Sequence, residues 1–124
     1  MKNKYALGII FFLIVGLFFF YLIQKNGDEV QVVDTIHVEM NGEAFVPNEF
    51  TVKNYTEVIF TNTSSISVWP ASNIHPTHGI YPEFDPQKAI QPGESWSFIF
   101  TKVGKWRMHD HLEPTLMGTI TVVE

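Results

Sequence analysis

At 124 residues and without a cysteine, the chain has room for one domain, which must hold by its core alone because neither disulfides nor thiolates contribute. Charge is uneven: all thirteen acidic residues lie at Asp28 or later, where only five bases follow (Lys53, Lys88, Lys102, Lys105, Arg107), leaving eight net negative charges. That balance excludes a nucleic-acid partner, which needs basic patches to neutralise phosphate, and suits the attraction of cations.

Residues 5–23 are apolar without a single charge, long enough at helical rise to match the ~30 Å hydrocarbon layer. A signal peptide has a shorter apolar core of about 7 to 15 residues and a small-residue cleavage site. No Ala-x-Ala-like site follows Ile23, so the stretch predicts an uncleaved transmembrane helix. Lys2 and Lys4 precede it and only Lys25 follows before Asp28. The positive-inside bias therefore puts residues 1–4 in the cytoplasm and the rest of the chain outside, as a single-pass protein of the cell membrane. Residues 24–33, carrying Gly27, read as a short linker to a domain over 34–124.

Within that domain residues 35–40 alternate, with Ile36, Val38 and Met40 inward and His37 and Glu39 outward. Asn41-Gly42 breaks the run, and residues 45–52 predict a bend into a second strand whose Pro47 marks an edge or a strand beginning. Residues 57–62 form a third strand with Val58 and Phe60 on one face. Residues 63–91 lack sustained periodicity and hold Pro70, Pro76, Pro82 and Pro86, which predicts a long loop of the kind that often carries function. After the Pro92-Gly93 turn, Trp96, Phe98 and Phe100 share a strand face; Gly104 opens another strand, and Ile120 and Val122 point inward from the last. Nothing after the anchor has a helical period, so the domain is expected to be an all-β sandwich or barrel of about six to eight strands.

Four of the five histidines fall into two close pairs. His109 and His111 end the strand that begins at Gly104, and residues two apart in an extended chain project from one face. His75-Pro76-Thr77-His78 lies in the long loop, where a proline turn can bring both imidazoles to one side. If the fold joins the pairs, four imidazoles meet, a donor set suited to copper, zinc, iron or nickel with affinity peaking at copper. The alternative is that each pair is a loop feature with hydrogen bonds of its own. Trp69-Pro70 and Tyr81-Pro82 read as aromatic–proline packing that stiffens the loop, the alternative being a shield of the site from water, and Glu83 and Asp85 as solvated or amide-bound acids, the alternative being cation steering or ligation. No nucleophile comes with a hydrolytic motif, so the residues support no enzyme activity of that class.

The succession Phe45-Val46-Pro47, Val58-Ile59-Phe60-Thr61-Asn62, a histidine loop, Ile90-Gln91-Pro92-Gly93-Glu94-Ser95, Gly104-Lys105-Trp106 and Gly118-Thr119-Ile120-Thr121-Val122 resembles the cupredoxins, the plastocyanin and azurin class of copper proteins. The resemblance implies a Greek-key β-sandwich and copper. In blue-copper members the strand after the Gly-x-aromatic signal ends in a cysteine, followed by a ligand histidine and a methionine. Here Asp110 stands at the position resembling that cysteine, residues 112–116 supply no histidine, and Met117 abuts Gly118, which suggests core or rim packing for it. His75 or His78 corresponds to the family's first ligand histidine.

The expected ligands are therefore His75, His78, His109 and His111, with Asp110 as a fifth or as an acceptor that orients an imidazole. If Asp110 points inward, alternation sends both histidines of its strand to the opposite face, so all three bind only if the strand has ended by then. The expected function is copper binding, storage or delivery by a membrane-anchored extracytoplasmic protein, with a redox or copper-delivery protein as partner; zinc accepts the same ligands. Two other readings stay open: a copper-dependent redox protein or oxidase subunit, and a metal-free β-sandwich that binds a partner protein.

Overall fold

A computed structural model describes residues 34–124; the apolar span 5–23 and the linker 24–33 lie outside the described residues. Among the described residues there is no helix. Eight strands form: β1 (Thr35–Met40), β2 (Phe45–Val46), β3 (Glu49–Lys53), β4 (Thr56–Asn62), β5 (Pro70–Ser72), β6 (Ser95–Phe100), β7 (Gly104–Asp110) and β8 (Met117–Val123). They make two mixed four-stranded sheets, ordered β2-β1-β4-β6 and β3-β8-β7-β5. β1 runs parallel to β4 and β3 parallel to β8; the other neighbours are antiparallel.

The alternation of the sequence becomes the core. Val38 and Met40 from β1, Val58 and Phe60 from β4 and Phe100 from β6 meet Val52, Met108, Ile120 and Val122 of the second sheet in one buried cluster, while His37 is exposed. The bend at Pro47 is sharper than a bend: β2 pairs in the first sheet and β3 in the second, so the chain changes sheets across Pro47-Asn48. Proline, lacking an N–H, suits a point where a ladder stops. Gly118 is required by close approach, since a Cβ there would sit 2.5 Å from Met108 Cε and 2.7 Å from the Asn48 carbonyl oxygen.

The long segment between β4 and β6 departs most from expectation. It contains β5, whose three residues pair with the end of β7 (Pro70↔Asp110, Ala71↔His109, Ser72↔Met108) and are all buried. A three-residue strand buried on both faces leaves no alternation to read. Tyr81 is a core residue rather than a loop stiffener, and Phe84 is buried in the core with it. Tyr81 meets Phe98, Phe100 and Trp106 edge-on, and Phe84 packs on Phe60, Trp96, Phe98 and Phe100. Buried Asn62 ties the segment at both ends, donating to the Ile66 and Ile90 carbonyls and accepting from Ser64. The loop that carries two histidines is thus anchored in the sandwich.

Candidate metal centre

β7 settles the tension at Asp110. Met108 is in the core and Trp106 packs against it, so period two sends Asp110 to that inner face and His109 to the outer one. One oxygen of the Asp110 carboxylate is engaged: its Oδ1 accepts the N–H groups of Trp69 (2.9 Å) and Leu112 (3.0 Å), which fastens the start of β5 to the turn after β7. The strand ends there, and His111 donates its N–H to the Trp69 carbonyl at 2.8 Å.

On the outer side His75, His78, His109 and His111 converge, with one donor nitrogen from each lying within 4.8 Å of all the others. Asp110 is not among them. His75 Nδ1 lies 3.3 Å from His109 Nε2, and His78 Nε2 lies 2.9 Å from His111 Nδ1. His78 and His109 are buried, His111 partly so, and His75 is exposed, so the group is reached from the His75 side. His78 adopts φ 55°, a left-handed conformation that costs a non-glycine residue about 1 kcal/mol or more. Its N–H donates to the Ile74 carbonyl and its own carbonyl accepts the Ser72 hydroxyl, both at 2.7 Å, which hold it there.

Three neighbours complete the arrangement, of which Asn73 carries no sequence signature. His78 Nδ1 lies 2.6 Å from Asp85 Oδ2 and His109 Nδ1 lies 3.0 Å from Asn73 Oδ1, so that a proton held on each Nδ1 would leave Nε2 as a lone pair facing the centre. The Trp69 indole lies 4.7 Å from the His111 ring, centroid to centroid, and donates to Asp85 Oδ1. Asp85 is therefore bonded to a histidine of the group as well as to the backbone amide of Gln87. Glu83 stands apart, paired with Lys102 at 2.8 Å. Met117 is half-exposed on the outer face, cross-strand from His109 with its Sδ toward Arg107, and so is no core residue.

Burial, reinforced by the imidazoles of His78, His75 and His111, pushes His109 down to about 4 despite the opposing charge of Asp85. His111 is lowered for the same reasons, desolvation first. Desolvation raises the Asp85 carboxyl, but hydrogen bonds from His78, Gln87 N–H and Trp69 outweigh it and hold the group below its ordinary range. His109 and His111 are thus held neutral beside one ionised carboxylate. For His109 the unfolded chain, titrating near 6.5, binds the proton that the folded chain refuses down to about 4. Stability should be complete above pH 6.5 and fall as pH drops through that window. The full shift corresponds to about 3 kcal/mol; screening at a centre open through His75 brings the expected loss to about 2 kcal/mol. Urea unfolding of the metal-free protein between pH 7 and 4.5 measures it, and a flat profile would contradict the burial of His109.

No protein-family model and no curated protein matches the sequence. Solved structures do. A purple cupredoxin from Nitrosopumilus maritimus is 19% identical, covering 70% of this chain and 98% of its own, with a TM-score of 0.62. A copper-containing nitrite reductase from Thermus scotoductus SA-01 is 23% identical over 73% of this chain but 22% of its own, also at TM-score 0.62; this chain spans about a fifth of that one. A reduced amicyanin variant is 19% identical, covering 71% and 81%, at TM-score 0.61. What these three share with the chain is the fold.

Proposed function

We propose that this chain, which has the cupredoxin fold and no cysteine, binds one copper ion through His75, His78, His109 and His111 and serves in copper binding, storage or delivery. One observation carries the reading: four imidazoles from two distant segments meet at one point, two of them with Nδ1 within hydrogen-bond distance of Asp85 and Asn73. The donor set fits the ion. Nitrogen ligands follow the order that peaks at copper, and His109 and His111, whose affinity for protons is depressed, compete for metal at mildly acidic pH. Copper is preferred to zinc on that order and because the similar structures include a copper-containing protein. When bound, the ion supplies a positively charged, redox-active centre.

The chain's own residues hold the rings, exclude water on the β7 side through buried His109, and leave His75 open as the side of approach. With no thiolate in the chain, strong copper–sulfur absorption is excluded. The apolar span 5–23 and the charges around it support a membrane-anchored protein with the domain outside, where a copper-delivery or redox protein is the partner class. Binding should be tested by titrating the purified full chain with copper(II) under electron paramagnetic resonance and visible absorption. The expected result is one ion per chain, nitrogen hyperfine couplings and only weak colour. Absence of specific uptake would give the lead to a metal-free interaction module, and copper-dependent turnover of a coloured reductant would give it to a redox enzyme.

A further inference from the structure

Asp85 faces three donors at once. Its Oδ2 lies 2.6 Å from His78 Nδ1, and its Oδ1 takes the Trp69 indole N–H at 2.8 Å and the Gln87 amide at 2.7 Å. Only a group that accepts at both ends can serve all three, and among side chains that is an ionised carboxylate. The consequences reach two of the four imidazoles. A proton fixed on His78 Nδ1 leaves Nε2 bare, 2.9 Å from His111 Nδ1. The indole held by the other oxygen forms the wall against the His111 ring. The backbone keeps the carboxylate in place, because Phe84, directly before it, is fully buried in the core.

We propose that Asp85 is a positioning residue of the centre: it locks His78 in the tautomer protonated on Nδ1, so that Nε2 is the ligating atom, and sets the Trp69 wall against His111. This rests on the copper reading for its purpose, though not for its structure. Asparagine has the same shape and cannot do the same. With its NH2 toward His78, the His78 Nδ1 becomes an acceptor and the ring proton moves to Nε2, into the centre. With its NH2 toward Trp69 and Gln87, donors meet donors twice.

The test has two readouts on the full chain. Nitrogen-15 NMR of the histidine rings, recorded without metal, should show His78 protonated on Nδ1 in the native protein and shifted toward Nε2–H in Asp85→Asn. Copper(II) affinity, measured by competition with a chelator, should fall about 10- to 100-fold in Asp85→Asn, with altered nitrogen couplings in the resonance spectrum. A native His78 protonated on Nε2 overturns the proposal whether or not the variant folds, and so does a folded variant of unchanged tautomer and affinity. If the native chain takes up no copper, the copper reading fails, while the tautomer measurement still decides the role of Asp85.

Discussion

Replacing His109 with alanine is expected to lower copper(II) affinity by more than about 100-fold, the largest effect of any single substitution at the centre. Loss of a ligand must exceed the 10- to 100-fold usual for loss of a supporting partner. His109 is the most buried of the four, 2% exposed, and its Nδ1–H is fixed on Asn73. It also lies against His75 Nδ1 at 3.3 Å, so truncation removes one donor and frees a second. Folding should survive. Below about pH 6.5 alanine also escapes the proton-linked loss of stability that buried His109 imposes, which there offsets part of the packing lost. His78→Ala should behave alike, and His37→Ala, on the exposed face of β1, should leave affinity unchanged. Chelator competition on the variants, with circular dichroism to confirm the fold, is the measurement. Native affinity in both His78→Ala and His109→Ala would remove this group as the copper site.

The contrast between β4 and β5 shows what a sequence can and cannot display. β4 alternates buried and half-buried residues over seven positions, and its pattern predicts Val58 and Phe60 inward without knowledge of any neighbour. β5 exists because β7 is beside it; Pro-Ala-Ser has no strand preference of its own, and pairing with a distant segment overrides that. The same division runs through the centre. The pairing of the histidines was legible because imidazole is a strong and scarce donor whose spacing survives in the one-dimensional chain. The opposition of Asp110 to His109 was legible as a period-two constraint, and β7 obeys it, with Asp110 turned inward and His109 in the group. The partners Asp85, Asn73 and Trp69 were not legible as such. A carboxylate seven positions past a histidine in a proline-rich loop carries no period, and only the docking of Phe84 decides that it turns toward His78 instead of solvent.

That docking makes Phe84→Ala the substitution of largest expected effect on stability, about 3–5 kcal/mol by the usual cost of removing a buried aromatic ring. The ring is fully buried, with centroids 5.1 to 5.7 Å from those of Phe60, Trp96, Phe98 and Phe100. Together with Tyr81 it grips the first sheet for residues 73–90, and the backbone on either side is tied as well: Ser72 N–H donates to the Phe84 carbonyl at 3.0 Å and Phe84 N–H to the Tyr81 carbonyl at 2.9 Å. A small domain has only about 5–15 kcal/mol in total, so the loss is a large share. Copper bound to the folded state adds to stability in proportion to the logarithm of its concentration over Kd. If the loop merely sat on the surface, the variant would lose little stability and keep native copper affinity. Because the loop supplies His75, His78 and Asp85 from a single anchored stretch, Phe84→Ala should weaken both together: urea midpoints should fall for the metal-free protein, and copper should restore less of the loss than it adds to the native chain. Native copper affinity in a strongly destabilised Phe84→Ala would mean that the arms of the centre are held by β7 and Asn73 alone.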